Sequence, residues 1–102
     1  MLIQPNFVVG SLGPYGTFYM FRLSDKRIWL LSHDEAWEDG KGSYIYEEGI
    51  FWPGFKPPQG VTKFSGFSIV QLDDNDKFFI SGGVIDGAPS TKAYIFDSLV
   101  MR

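Results

Sequence analysis

The chain contains a single histidine, His33, which is the residue best suited by type to acid–base chemistry. An imidazole changes its charge near neutral pH and can act as a general base. No serine and aspartate stand at a spacing that would complete a triad with it, and no second candidate base accompanies it. We therefore expect His33 to be a strand-end residue bonded to backbone or solvent, and we expect no catalytic residue.

A second group of chemically active residues lies in an acidic loop, residues 34–42. Its candidate partner-binding residues are Asp34, Glu35, Trp37, Glu38 and Asp39. Carboxylates beside an aromatic ring could bind a basic peptide, a sugar or a cation. Their spacing is not that of an EF-hand loop, which alternates oxygen ligands and closes on a glutamate. The alternative is a solvated loop with Trp37 packed back on the protein.

A second loop, residues 82–90, occupies the equivalent place later in the chain, and the candidate partner-binding residues there are Asp86 within the loop and Lys92 shortly after it. Lys92 belongs to no Gly-x4-Gly-Lys phosphate-binding pattern, so a variable loop is the alternative. The acidic run at residues 73–76 occupies a tight hairpin turn, which cannot wrap a calcium ion. We expect no metal and no cofactor.

Charge and composition exclude several classes of partner. The chain has nine Lys and Arg against twelve Asp and Glu, for a net charge of −3, and no basic run. Nucleic-acid binding therefore lacks electrostatic support. The absence of cysteine excludes a disulfide framework but leaves the compartment open. We expect no signal peptide at residues 1–5 and no membrane contact, since no apolar stretch approaches the ~20 residues of a membrane helix. The expected partner is another protein.

The elements that must position these loops are predicted to be β-strands. Aromatic residues make up 18% of the chain and the twelve Gly punctuate short segments, which is typical of an all-β protein. The expected strands are residues 17–23, 27–32, 43–47, 50–52, 66–72, 77–81, 91–97 and 99–101, with a further apolar pair at 2–3. Residues 6–15 are predicted to be a connection. The apolar runs at 28–31 and 78–80 predict middle strands that are buried on both faces.

These strands recur at an offset of about 50 residues, because residues 16–23, 28–31 and 43–47 lie over 66–72, 78–80 and 93–97. A β-rich repeat of this length is typical of a propeller blade. The repeat divides the chain into an outer strand of a preceding blade with its connection (1–15), a first blade (16–54) and a second blade (55–102).

The second repeat resembles one unit of the kelch-repeat β-propellers. The residues that carry the resemblance are the strand at 66–72, the acidic turn, the double glycine Gly82-Gly83 after the second strand, and the aromatic and acidic end of the third strand at 94–97. Pro57-Pro58 is similar to the proline-rich entry into a blade, and Trp52 to the tryptophan of the fourth strand. The first repeat departs from the pattern at Ser32-His33, and the second has Val100 and Met101 in place of the tryptophan.

The resemblance implies an all-β fold of two consecutive four-stranded antiparallel blades, which is an incomplete propeller, since known propellers close with four to eight blades. Two blades would leave apolar faces open. The chain is then a piece of a longer protein, which we favour, or it assembles with copies of itself through these open faces, or its sheets pack as a small sandwich.

The function that the resemblance implies is a non-catalytic protein–protein interaction module that presents inter-strand loops to a partner. The alternatives are part of a carbohydrate-binding or oxidase propeller, or a self-assembling structural β module. A copper oxidase site needs Tyr, His and Cys ligands, and this chain alone cannot supply them because it lacks cysteine.

Overall fold

A computed structural model describes residues 7–11, 14, 16–72 and 75–99. Within these ranges the chain forms strands and no α-helix, which confirms the all-β prediction. In chain order the strands are β1 (Phe7–Ser11), β2 (Thr17–Arg22), β3 (Ile28–Ser32), β4 (Trp37–Glu38), β5 (Ser43–Glu47), β6 (Ile50–Pro53), β7 (Lys63–Ser65), β8 (Ser68–Gln71), β9 (Lys77–Ser81), β10 (Val84–Ile85), β11 (Ala88–Pro89) and β12 (Ala93–Asp97).

The strands form three antiparallel sheets. Sheet A has the order β1-β2-β3-β5-β6, sheet B has the order β11-β10-β7-β4, and sheet C has the order β12-β9-β8. Among the described residues each sheet is open, with two free edges. Sheet A comes from the first repeat and the segment before it, sheet C from the second repeat, and sheet B joins pieces of both.

Sheet A contains the four strands expected of the first repeat, in the expected order, and one more. β1 pairs with β2 along its whole length. The prediction that residues 6–15 form only a connection is therefore wrong for residues 7–11, where Val8 and Val9 favour an extended backbone. The apolar pair predicted at residues 2–3 lies outside the described residues.

Sheet C contains three of the four strands expected of the second repeat. β8, β9 and β12 pair in the order predicted for its first three strands. Leu99 lies in a turn, and the remainder of the strand predicted at residues 99–101 lies outside the described residues.

Sheets A and C pack face to face through aromatic rings. Phe21 and Trp29 of sheet A approach Phe78 of sheet C with ring centroids 5.0 and 4.8 Å apart. Trp29 also stacks on Phe96, with centroids 5.3 Å apart. All four side chains are buried. Aromatic side chains of this size dominate core energetics, so this contact is the main source of adhesion between the two sheets.

Burial differs between the two middle strands. In β3, Trp29, Leu30 and Leu31 are all buried, as the apolar run predicts. In β9, Phe78 is buried while Phe79 is 40% exposed, so the predicted burial of both faces is wrong there. Phe79 points to the side of sheet C opposite the aromatic contact, because side chains alternate along a strand.

Buried polar groups also connect the two repeats. Gln71 donates a hydrogen bond from Nε2 to the carbonyl of Arg22 in sheet A (2.8 Å) and another to the carbonyl of Asn75 (3.0 Å). The amide of Ser24 donates to a carboxylate oxygen of Asp76 at 3.3 Å. Hydrogen bonds are directional, so these contacts fix the hairpin turns of the two repeats relative to each other.

Candidate functional site

The two predicted partner-binding loops meet in sheet B. The first loop supplies β4, the second supplies β10 and β11, and β7 lies between them. Trp37 of β4 and Ile85 of β10 both stand opposite Phe64 of β7. The rigid base of both loops is therefore one small sheet, whose inner side chains pack on the core.

The second loop turns tightly between β10 and β11. Asp86 and Gly87 have φ angles of 52° and 88°, which match a two-residue hairpin turn. A carboxylate oxygen of Asp86 accepts hydrogen bonds from the amides of Thr62 (3.1 Å) and Lys63 (2.7 Å). Asp86 therefore anchors the loop to the start of β7, which is a structural role.

The first loop is anchored in a comparable way. Asp34 Oδ2 accepts a hydrogen bond from the amide of Thr17 at 2.8 Å, at the start of β2. The hydroxyl of Ser32 accepts hydrogen bonds from the amides of Asp34 (3.2 Å) and Glu35 (2.8 Å). Asp34 has one oxygen committed to the backbone, while its side chain remains about half exposed.

Trp37 belongs to the core rather than to the surface. Its side chain is fully buried, its Nε1 donates a hydrogen bond to the carbonyl of Phe55 (2.8 Å), and its ring lies parallel to Phe64. Of the two sequence interpretations of this residue, the structure therefore places it back on the protein, and its ring is not offered to a partner.

The acidic residues of the first loop that remain at the surface carry only exposed ion pairs. Glu35 lies 3.9 Å from Lys41, and Asp39 lies 3.7 Å from Lys56. Exposed pairs of this kind contribute little to stability, so a basic partner can compete for these carboxylates at small cost. Glu38 is half-buried opposite Lys63.

Lys92 lies apart from these carboxylates. It precedes β12, follows the strand at the opposite edge of sheet B from β4, and is exposed. Its carbonyl accepts a hydrogen bond from the amide of Gly82 at 3.2 Å. The sequence-predicted residues therefore divide between the two edges of sheet B.

A cleft of about 200 Å³ opens beside the first loop, and its lining includes Tyr19, His33, Asp34, Glu35 and Phe67. His33 Nδ1 lies 3.7 Å from a carboxylate oxygen of Asp34, and the rings of Tyr19 and His33 are 5.4 Å apart. Carboxylates and aromatic rings that line one cleft suit a cationic side chain, through ion pairing and cation–π contact.

Comparison of the chain with models of protein families, with characterised proteins and with solved structures gave no match. Among the described residues, no three His, Cys, Asp or Glu side chains lie close enough to hold a metal ion. The same part of the chain contains no helix long and apolar enough to cross a membrane.

Sequence reasoning expected open apolar faces but did not identify the exposed apolar side chains outside the loops. Ile50, Phe51 and Trp52 of β6 are all about half exposed, as are Val70 and Ile95 on the outer face of sheet C. The available signal was the dipeptide Glu48-Gly49 between two short apolar runs, which predicts a two-residue hairpin and hence an edge strand.

Proposed function

We propose that the chain is a non-catalytic protein–protein interaction module made of two consecutive blades of a kelch-like β-propeller. The strand order β2-β3-β5-β6 in the first repeat and β8-β9-β12 in the second supports this proposal, because each unit runs up and down as a blade does. The packing of Phe21 and Trp29 on Phe78 supports it further, since neighbouring blades stack face to face.

The glycines at the exit of β9 agree with the kelch resemblance. Gly82 and Gly83 have φ angles of 72° and 82°, a backbone conformation that favours glycine. Gly42, which follows β4 in the first repeat, has a φ of 78°. The double glycine therefore allows the positive φ angles by which the chain passes from β9 into sheet B.

The main support for this function is that sheet B holds both loops. Residues that bind partners concentrate in loops held by a rigid scaffold. Sheet B holds the first loop so that Glu35 and Asp39 face solvent, and the cleft beside it is lined by Asp34 and by aromatic residues. We infer that a basic segment of a partner protein binds at this end of the molecule.

The test is a quantitative capture experiment from cell extract with the whole chain as bait. The variant E35Q/D39N removes two loop charges, and the control D25N/D97N removes two negative charges outside both loops, from the β2–β3 turn and from the end of β12. Proteins whose recovery falls with the loop variant and not with the control support the proposal. If no protein depends on the loop charges while both variants remain folded by circular dichroism, the loop-binding proposal is overturned.

Self-association is a second candidate function, favoured by the outer face of sheet C. Val70, Phe79 and Ile95 stand opposite one another across its three strands and are 40 to 60% exposed. Light scattering after size-exclusion chromatography distinguishes the candidates. A defined oligomer that Phe79→Ser dissociates supports self-association, and a monomer at all accessible concentrations removes it.

A further inference from the structure

We propose that the β5–β6 hairpin is a second docking surface, which binds a short extended segment of a partner protein that carries both apolar and basic residues. This inference rests on the proposed function only in treating the chain as an interaction module, because it concerns a surface separate from the two loops.

The hairpin carries exposed apolar side chains on both of its faces. Tyr46, Ile50, Phe51 and Trp52 are 39, 51, 58 and 49% exposed. Tyr46 and Phe51 stand opposite each other on the outer face, with ring centroids 5.0 Å apart. Trp52 stands opposite the buried Ile45 on the inner face, and Ile50 shares that face because side chains alternate along a strand. The inner face of β6 therefore extends beyond the cover that sheet C provides, and its exposed Ile50 and Trp52 form the proposed docking surface.

The negative charge beside these apolar side chains indicates which kind of partner segment would bind. Glu47 and Glu48 form the exposed start of the hairpin turn. Within residues 16–72 and 75–99, neither glutamate forms an ion pair with a lysine or arginine. An apolar surface with two carboxylates at its end is complementary to a segment in which basic residues flank apolar ones.

The backbone of β6 limits how the partner can bind. The amide of Gly54 bonds to the carbonyl of Ser43 at 2.9 Å, and hydrogen-bonded pairs alternate along an antiparallel ladder. Ile50 and Trp52 therefore bond to β5, and Phe51 directs its amide and carbonyl to the free edge. Pro53 also faces the free edge, but it offers only its carbonyl, because proline has no amide hydrogen. An added strand could therefore both donate to and accept from Phe51 alone, so recognition must depend mainly on side chains.

The size of the surface argues against a second copy of this chain as the occupant. Large apolar side chains bury about 200 Å² each, so the two half-exposed ones on the inner face offer roughly 200 Å². A stable interface between proteins buries about 800 Å² on each partner. The hairpin is thus large enough for a short segment and too small for a stable dimer.

The test uses synthetic peptides and the whole chain. Trp52 reports binding, because the other two tryptophans, Trp29 and Trp37, are fully buried. A short peptide of alternating Val and Lys should shift the Trp52 emission to the blue and reduce its quenching by acrylamide. Peptides of alternating Val and Glu, or of Ser and Lys, should bind about tenfold more weakly, because each lacks one half of the complementarity.

Variants locate the binding site. The variant E47Q/E48Q cannot form two exposed ion pairs with the peptide, so its affinity for the Val–Lys peptide should fall about fivefold. Ile50→Ser should weaken binding by about tenfold, while Phe51→Ser, which removes a similarly exposed side chain from the opposite face of the same strand, should leave it unchanged. NMR chemical-shift changes should centre on Glu47 and Ile50.

Three results would overturn the inference. They are unchanged affinity in E47Q/E48Q, equal binding of the Val–Glu peptide, and a dimer that Ile50→Ser dissociates. Shift changes centred on residues 34–39 would also overturn it, while leaving the proposed loop function in place. Conversely, hairpin binding with no effect of the loop variant on protein capture would uphold this inference and remove the loop proposal.

Discussion

The substitution Gly83→Ala tests the close contact on which sheet B depends. A Cβ at this position would lie 2.5 Å from the carbonyl oxygen of Ser65 and 2.9 Å from the amide nitrogen of Phe67. Ser65 belongs to β7 and pairs with Val84, the residue after Gly83. The added methyl group would therefore push β7 and β10 apart.

Gly82→Ala is the matched control for this substitution. Gly82 also has a positive φ, but a Cβ there would meet no atom within 4 Å. Both substitutions impose the left-handed conformation on alanine, which costs about 1 kcal/mol. Both also reduce the entropy of the unfolded chain by a similar amount, and this contribution cancels in the comparison. The difference between the two variants thus isolates the steric contact.

The expected magnitude follows from these terms. Gly82→Ala should lower the free energy of unfolding by about 1 kcal/mol. Gly83→Ala should lower it by a further 1–3 kcal/mol or so, the usual cost of forcing an extra group into a packed site. Urea unfolding followed by tryptophan fluorescence measures both values, and the melting temperatures should differ by roughly 5–15 °C in a domain of this size.

One result would refute the reasoning. If the two alanine variants have the same unfolding free energy, within about 0.5 kcal/mol, the methyl group meets no obstacle and β7 does not lie against Gly83. A Gly83→Ala variant that retains full stability would also contradict the left-handed backbone at that residue. Either outcome would remove the structural basis for joining the two loops on one sheet.

Three further predictions concern side chains. Phe78→Ala should lower the free energy of unfolding by about 3–5 kcal/mol, because Phe78 is fully buried. Phe79→Ala should lower it by about 1 kcal/mol or less, as measured by urea unfolding. Equal losses would show that β9 is buried on both faces. Asp86→Ala should lower the free energy of unfolding by about 1–2 kcal/mol, because two backbone amides lose their acceptor. Asp39→Ala should lower it by less than about 0.5 kcal/mol. A larger fall in melting temperature for Asp39→Ala than for Asp86→Ala would contradict the anchoring role of Asp86. Trp52→Phe should abolish most acrylamide quenching of the tryptophan fluorescence, whereas persistent quenching would mean that Trp29 or Trp37 reaches solvent.

Local sequence signals predicted most of the strands of the two larger sheets. Aromatic and β-branched runs separated by polar turns mark β2, β3, β5 and β6, and their recurrence marks β8, β9 and β12. Strand formation of this kind depends on side chains that suit a pleated surface and on turns closed by nearby residues. Both properties depend on short stretches of the chain, so they can be predicted without knowledge of the fold.

Sheet B was not predictable in the same way. Trp37–Glu38, Lys63–Ser65 and Val84–Ile85 are too short to show a period, and each pairs with a segment about 20 or more residues away. The candidate site was only partly predictable for the same reason. Its acidic loop was located from composition, but the burial of Trp37 and the anchoring roles of Asp34 and Asp86 depend on these distant partners.

The amino-acid sequence by itself determined that this protein is all-β, that its strands repeat, and that its surface chemistry is acidic and aromatic rather than basic. Only the tertiary structure decided which apolar residues are covered, since Phe78 and Phe79 have the same chemistry and opposite environments. The physical reason is that strand propensity and charge are local properties, whereas burial depends on which sheet packs against which face.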